Sequence, residues 1–339
     1  MLAKQILFAS RPSGVPTAAN FEFVEQEIPA PSDDEVLVRT LYISVDPYLR
    51  GRMREGKSYV PPFVLGQPIE SGIVCEVVES RFADLKSGDL VTGMLGWATY
   101  SVVNGRSLLK LDNNLKTASM ALGVLGVPGL TAYFGLLDVT KLNAGETVVV
   151  SGAAGAVGMT ACQIAKIKGC RVVGIAGGEA KTRYLKDVLK VDAVVDYKAH
   201  VGDRALEMMR DALREASPNG VDVYFDNVGG VTSDAVMFVI NERARIAICG
   251  QISMYNSEKL DTGLRPQPFL LVKSASMLGL MVMNYFARFA EGRQELAQWL
   301  ADGKLKHVET ITEGFENTPS AFIGLFSGNN LGKQVVKVV

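Results

Sequence analysis

The run TVVVSGAAGAVG, Thr147–Gly158, decides the fold together with the three segments after it: ACQIAKIKGC at 161–170, RVVGIAG at 171–177 and GEAKTR at 178–183. Val148, Val149 and Val150 are three consecutive β-branched residues with no polar face, the pattern of a strand buried on both sides in a parallel sheet. The next segment has helical composition and the one after it is a second short strand, so the whole reads as one βαβ unit. Its first turn suits a pyrophosphate. Gly155 lacks a Cβ, which lets the backbone approach a phosphate, and Gly158 lets the helix pack closely on the strand. The helix N-terminus then faces the anion. Ala153 stands where the usual G-x-G-x-x-G has its first glycine, while Gly152 beside it keeps the turn permissive. Strand before and helix after are the context that makes the glycine pattern a dinucleotide site rather than an ordinary tight turn.

The end of the second strand bears on which dinucleotide is bound. Sites for NAD place Asp or Glu there, about 20 residues past the glycines, on the ribose hydroxyls. Here that place holds Ala176, Gly177 and Gly178, and Glu179 is a mild signal in the other direction. Lys181 and Arg183 come immediately afterwards and can meet a ribose phosphate with charge-assisted hydrogen bonds. As surface cations at a helix start they would oppose the helix dipole. The pattern therefore favours NADPH over NADH.

The rest of the chain sets bounds. Its 339 residues suggest about two domains with ample cores. With 35 basic and 36 acidic side chains the formal charge is −1, so no strong field recommends nucleic acid or a membrane as partner. The longest apolar stretch, Leu122–Leu137, is 16 residues broken by Gly123, Gly126, Pro128 and Gly129, against roughly 20 for a bilayer span. The opening MLAKQILFASRPSG has no long apolar signal core; the expected location is the cytoplasm and the expected partner a small molecule. Cys75, Cys162, Cys170 and Cys249 have no metal-ligand spacing, and His200 and His307 are the two histidines. Cys162 and Cys170 read as small hydrophobes.

Residues 1–120 are β-rich, with QILFA, NFEFVEQEI, EVLVRTLYISV, SGIVCEVVES, DLVTGML and ATYSVV separated by Pro, Gly, Asp and Ser. Such breaks predict a compact antiparallel barrel. From about 121 helical patterns alternate with the apolar strands VVVSG, RVVGIAG, AVVDY, VDVYFDNVG, RIAICG and SMLGLMV, as a doubly wound α/β sheet requires. After the helical RFAEGRQELAQWLADGKL the tail returns to short strands. The expected division is 1–120 with 300–339 as one domain and 121–299 as the cofactor domain, inserted between two segments of the first.

This arrangement, with the strings VDPYLRGRM, GVPGLTAYFGL, SGAAGAVG, YFDNVGG, EGFEN and NNLGKQVVKV, resembles the zinc-independent medium-chain dehydrogenases/reductases. Within them it is similar to the alkenal double-bond reductase branch, which includes leukotriene-B dehydrogenase/prostaglandin reductase and bacterial curcumin reductase. The likeness runs from end to end. It implies an α/β chain made of a GroES-like β-barrel catalytic domain and a Rossmann domain holding NADPH. Zinc alcohol dehydrogenases of the superfamily use a Cys and the His of a GHE motif where this chain reads SVDPYLR and GQPIESG, so Asp46 and Gln67 stand in the ligand places and no metal is expected. Asp46 and Glu70 read as loop anchors bonded to backbone.

Carried over position by position, the resemblance puts Gly155, Ala156, Val157 and Gly158 at the pyrophosphate, Lys181 at the ribose phosphate and Tyr197 near the adenosine. Asn227 and Asn330 match cofactor-contacting asparagines. Cys249, Ile252, Ser253 and Tyr255 fall along the nicotinamide half, and Leu280, Met281 and Val282 present a strand backbone to the carboxamide. On residue type alone Tyr197 is an ordinary surface tyrosine and Asn227 a turn former before Gly229 and Gly230.

The resemblance implies hydride transfer to the β-carbon of a conjugated enone or enal, with negative charge developing on the carbonyl oxygen. Tyr255 is the expected catalytic residue, because a tyrosine with a pKa near 10 remains a hydrogen-bond donor at neutral pH; a core aromatic is the plainer reading. Tyr48 and Tyr59 match the substrate mouth, although Tyr48 after Asp-Pro is also a natural barrel-corner anchor. Met283 is assigned to the substrate, within an apolar stretch of Met281, Tyr285, Phe286 and Phe289 that suits either a wide pocket or a subunit contact. Arg50, Arg52 and Arg54 read as a solvated charge run. A homodimer is expected by family analogy. NADPH quinone reduction and non-catalytic NADPH binding are the competing functions.

Overall fold

Val148, Val149 and Val150 are wholly buried in the strand Thr147–Ser151, which pairs in parallel with Arg171–Ala176 on one side and Val221–Asp226 on the other. The computed structural model describes residues 1–56, 58, 60–112 and 117–339. The described chain divides into two compact units, Met1–Leu122 with Glu309–Val339, and Gly123–Val308.

In the second unit the sheet continues outward through Ala193–Asp196 at one edge and through Ile240–Ile248 to Ser276–Gly279 at the other, every pairing parallel. Counted along this unit the strand order is 3-2-1-4-5-6, the doubly wound arrangement. Helices Ala156–Ile167, Glu179–Asp187 and Ala205–Ala216 connect successive strands, since parallel neighbours need long crossovers. The unit ends later than the expected 299. Beyond the helix Phe289–Ala301 the chain still packs on this unit, with Leu305 buried. Gln163 clasps Lys306 there, its Nε2 donating to the Lys306 carbonyl at 3.1 Å and its Oε1 accepting the Lys306 N–H at 2.7 Å.

The first unit is a curled sheet, antiparallel except at its rim. Its spine is the ten-residue strand Glu35–Ser44. One edge of the spine pairs with Glu70–Ser80; the other pairs first with Tyr100–Asn104 and then with Lys333–Lys337. Lys333–Lys337 pairs in parallel with Glu309–Glu313, a departure from the all-antiparallel expectation. Strand Leu2–Phe8 closes across the sheet through Ile6 N–H to the Trp97 carbonyl and Phe8 N–H to the Gln67 carbonyl, each 2.9 Å. Trp97, fully buried, stacks on Phe21 at 6.1 Å and meets Phe322 edge-on at 6.4 Å. Phe322 comes from the tail helix Thr318–Gly324, so the tail completes the barrel's aromatic core.

Three charged groups of this unit behave differently from the sequence expectation. Arg50 is buried, donating from Nε at 3.2 Å and Nη2 at 2.9 Å to the Gly14 carbonyl. Arg52 is buried too, pairing with Glu70 at 3.0 Å over the Phe63 ring. Both are structural ties rather than a solvated run, because their partners arrive from distant segments. Asp46 bonds the Ser44 hydroxyl and pairs with Lys333 Nζ at 3.2 Å. Lys333 is 3% exposed, and its ammonium also donates to the carbonyls of Val45 at 3.0 Å and Gln334 at 2.6 Å. The acidic anchors therefore hold side chains, not only backbone.

Removing one partner of such a pair leaves a buried charge unmatched, at a cost on the order of 3 kcal/mol. Lys333→Met is expected to lower the thermal midpoint clearly, and adding Asp46→Asn to recover most of the loss. Scanning calorimetry of the two variants checks this; equal losses would show that charge pairing is not what Lys333 contributes.

Candidate cofactor and active site

The turn after Thr147–Ser151 assigns different tasks to its glycines. Gly152 has φ +59°, in the left-handed region. A Cβ on Gly158 would lie 2.2 Å from the Gly152 carbonyl oxygen and 2.8 Å from Ala153 Cα, so strand and helix approach too closely for any side chain. Gly155 is unlike it. Its φ is −89°, and the nearest atom to a Cβ there is the Gly152 oxygen at 3.4 Å. The chain's own packing does not require glycine at 155. Gly155 caps the N-terminus of the twelve-residue helix Ala156–Ile167, so Gly155, Ala156, Val157 and Gly158 stand at the positive end of a helix dipole with no Cβ at 155 or 158, which fits the pyrophosphate of a dinucleotide.

At the end of the second strand the Tyr197 ring lies over Gly177, where a Cβ would meet Tyr197 Cε1 at 2.6 Å. Asp196 Oδ1 accepts from the Gly178 N–H at 3.0 Å and the Lys198 N–H at 2.9 Å. Lys181, half-buried in the first turn of Glu179–Asp187, has its ammonium pKa lowered by burial and then by the charge of Lys198. Arg183 instead hydrogen-bonds Glu179 one helical turn away, on an exposed face. That pairing occupies both Arg183 and the one carboxylate that suggested NADH.

The third element of the site is the end of Val221–Asp226. Asp226 is 1% exposed. Its Oδ1 accepts from Ser151 Oγ at 3.0 Å, the Tyr224 hydroxyl at 2.8 Å and the N–H groups of Val228 and Gly229, both at 3.0 Å, while Ser233 donates to Oδ2. Ser151 Oγ in turn accepts the Asn227 N–H at 2.9 Å, and Asn227 Nδ2 donates to the Ser151 carbonyl at 2.7 Å. The two central strand ends are thereby locked together. Sequence reasoning missed Asp226; the DN of YFDNVGG, with Ser151 in line after the first strand, was the available signal.

The segment 249–255 hangs on this lock. Cys249 and Gly250 donate to the Asp226 carbonyl at 2.8 and 3.1 Å, Ile252 to the Asn227 carbonyl at 3.3 Å, and Ser253 to the Val228 carbonyl through N–H at 3.1 Å and Oγ at 2.6 Å. Tyr255 folds back so that its hydroxyl oxygen accepts the Gln251 N–H at 3.2 Å and lies 3.0 Å from where a Cβ on Gly250 would be. Burial raises the Tyr255 phenol above its ordinary pKa of 10.0, against the lowering effect of the Gln251 N–H. The neutral hydroxyl therefore persists through neutral and moderately alkaline pH. Burial also pushes the Cys75 and Cys162 thiols up to about 12, which keeps them inert.

The strand expected to carry Leu280–Val282 ends at Gly279. Leu280 still donates to the Ile248 carbonyl at 2.9 Å, Met281 stays extended, and Val282–Arg288 forms a seven-residue 3-10 helix. The apolar stretch splits: Tyr285 stacks on Phe134 at 4.7 Å and Phe289 is buried, whereas Met283 is 54% and Phe286 67% exposed. In the other unit Tyr48 is half-buried against the barrel core, as a corner anchor would be. Asn330 donates to the Gly332 carbonyl at 2.8 Å in the loop before Lys333–Lys337. Tyr59 lies outside the described residues.

A catalytic zinc does not fit this donor set. Asp46 already faces an ammonium, Gln67 lies on the surface, and among the described residues no three His, Cys, Asp or Glu side chains gather. A barrel unit joined in one chain to a doubly wound sheet with a dinucleotide turn defines a two-unit nicotinamide oxidoreductase. Residues 4–111 match the family described as N-terminal domain of oxidoreductase, and 156–301 that described as zinc-binding dehydrogenase. The chain is 54% identical over 337 residues to YfmJ of Bacillus subtilis (strain 168), named provisionally as an NADP-dependent oxidoreductase, covering 99% of this chain and 97% of that one. It is 43% identical to the NADPH-dependent curcumin reductase of Escherichia coli (strain K12), covering 98% and 96%. The structure of CurA from Vibrio vulnificus in complex with NADPH superimposes with a TM-score of 0.92 at 43% identity, covering 99% of each chain. The chain belongs to the zinc-independent medium-chain dehydrogenases/reductases, in the curcumin reductase and prostaglandin reductase branch.

The two glycines separate stability from binding. Gly158→Ala drives a Cβ into backbone and is expected to destabilise by about 2–3 kcal/mol. Gly155→Ala is expected to leave the melting temperature unchanged yet weaken NADPH about tenfold. Thermal melts with and without NADPH check both; a stable, tightly binding Gly155→Ala protein would remove Gly155 from the site.

Proposed function

We propose that this chain is an NADPH-dependent ene reductase that saturates the C=C bond of α,β-unsaturated ketones and aldehydes. The observation that carries the reading is 43% identity over 337 residues to the Escherichia coli curcumin reductase, joined to a turn whose Gly155 the chain's own packing does not require. Bound NADPH supplies the hydride, which goes to the β-carbon while charge moves to the carbonyl oxygen. The chain's part is to hold and to polarise. Gly155, Ala156, Val157 and Gly158 surround the pyrophosphate, with the N–H groups of the helix's first turn after Gly155 as its donors, and Lys181 and Tyr197 receive the adenosine end with its phosphate. Asn227, Cys249, Ile252, Ser253 and the backbone of Leu280, Met281 and Val282 frame the nicotinamide half, and Asn330 is assigned to the cofactor as well. Tyr48, Tyr59 and Met283 are assigned to the substrate by the family likeness.

Tyr255 is the catalytic residue in this reading. Its oxygen accepts the Gln251 N–H, which polarises the O–H and strengthens it as a donor. It donates toward the developing enolate oxygen, directly or through a ribose hydroxyl, and the α-carbon takes its proton from this hydroxyl or from water. Because its pKa is raised, the donor is lost only as pH climbs past 10. The wild-type rate should be flat through neutral pH and fall on the alkaline side alone.

The assay is NADPH oxidation with a medium-chain enal, a curcumin-like diketone and a quinone. Saturated ketone or aldehyde as product is the expected result; turnover of quinone alone, or none at all with NADPH bound, would sink the reading. Tyr255→Phe is expected to lower kcat about 10- to 100-fold with KM for NADPH near wild type. An unchanged kcat would take Tyr255 off the catalytic list.

Four free cysteines suit the reducing cytoplasm, and among the described residues no helix is long and apolar enough to cross a membrane. The edge strand Ser276–Gly279 is exposed along its whole length, Met277 and Leu278 included, and Leu271, Val272 and Phe286 are exposed in other segments of this unit. An open apolar edge invites a second copy, so a homodimer joined at this strand is proposed. Light scattering should give twice the 36.5 kDa chain mass, and Met277→Lys with Leu278→Lys should halve it. A wild-type monomer would overturn the dimer.

A further inference from the structure

Lys198 sits one residue past Tyr197 in the single turn Tyr197–Ala199. The strand before that turn, Ala193–Asp196, pairs with Arg171–Ala176 so that Asp196 lies opposite Ala176. The turn after one strand and the helix start after the other therefore leave the sheet side by side. Asp196 fastens them together, accepting the Gly178 and Lys198 N–H groups on one oxygen, and the Tyr197 ring fills the space over Gly177. Lys181 reaches the same corner from its helix, close enough that the Lys198 charge disfavours its protonation.

Two lysines thus start from backbone that Asp196 ties into one corner, where the local carboxylates are occupied. Asp196 is bonded to backbone N–H groups, Glu179 is bonded to Arg183, and among the described residues no acid lies within ion-pair distance of Lys198. Like charges held together without a counter-charge oppose folding slightly and favour an anion. A phosphate monoester brings close to two negative charges and three acceptor oxygens, more than one lysine can match. We propose that Lys198 is a second phosphate-binding cation, acting with Lys181 on the ribose 2′-phosphate, and that the pair sets the preference for NADPH over NADH. The proposal rests on the reading of this chain as an NADPH enzyme.

The test is equilibrium binding, followed by tryptophan or dinucleotide fluorescence, of NADPH, NADH and 2′,5′-ADP to the wild type, Lys181→Ala, Lys198→Ala and Lys198→Arg. Lys198→Ala should weaken NADPH and 2′,5′-ADP about 5- to 10-fold, leave NADH within about twofold, and flatten the salt dependence of NADPH binding, with Lys198→Arg near wild type. Lys198 is exposed, so melting temperature should not move. Wild-type affinity in Lys198→Ala, with Lys181→Ala impaired, would overturn the role of Lys198 and leave the cofactor reading intact. A wild type that binds NADH as tightly as NADPH would overturn both.

Discussion

A buried carboxylate sets the geometry of the nucleotide unit. Asp226 is almost inaccessible to water, and an unmatched charge in that position would cost several kcal/mol. The surrounding chain meets it with five donors: three hydroxyls and two backbone N–H groups. Satisfying them fixes the ends of two neighbouring strands, the turn through Asn227 to Gly230 and, through the Asp226 carbonyl, the start of the 249–255 segment. Tyr255 then points where it does because the segment has little other choice. A single buried polar group has been converted into the rigidity that a reacting centre needs.

Close approach is the second constraint, and it explains why the glycine pattern is unequal. Gly158 is demanded by backbone atoms at 2.2 and 2.8 Å, whereas Gly155 is demanded by nothing in the chain. A residue whose smallness the fold does not require points to something outside the fold. Alanine at 153 is tolerated for the complementary reason: its side chain is wholly buried and Gly174 on the adjacent strand leaves room for it, with a Cβ there 3.2 Å away.

How much was legible in the sequence depends on how local each feature is. The βαβ turn, the parallel strands and the switch from barrel to alternating pattern depend on neighbours within a few residues, so periodicity and glycines expose them. The return of the tail was visible as strands, but its boundary was not, because Gln163 holds Lys306 from 143 positions away. Arg50 and Arg52 look like a solvated run until the carbonyls of Gly14 and Pro61 are brought to them. Asp226 had a local signal in the DN of YFDNVGG, but its bond to Ser151 comes from 75 positions away, and nothing near Lys198 in sequence shows that Asp196 ties its turn to Gly178. The apolar stretch 281–289 has no single period, and tertiary packing divides it into buried Phe289 and exposed Met283 and Phe286.

The site also shows how carbonyl activation is possible without a Lewis acid. In the barrel unit the place that a metal would need is held by Lys333 and Asp46, whose charges answer each other and whose donors are all engaged with Val45, Gln334 and Asp46 itself. Hydride addition to a conjugated carbon places only an enolate charge on oxygen, already spread over the conjugated system, and a neutral donor in a partly dry environment suffices to stabilise it. In the proposed role of Tyr255 two influences oppose each other: burial raises the phenol pKa and extends the protonated form further into alkaline pH, while the Gln251 N–H bonded to its oxygen polarises the O–H as a donor. An exposed tyrosine would be as fully protonated at neutral pH but would ionise earlier on the alkaline side, and one without the Gln251 contact would lack the added polarisation.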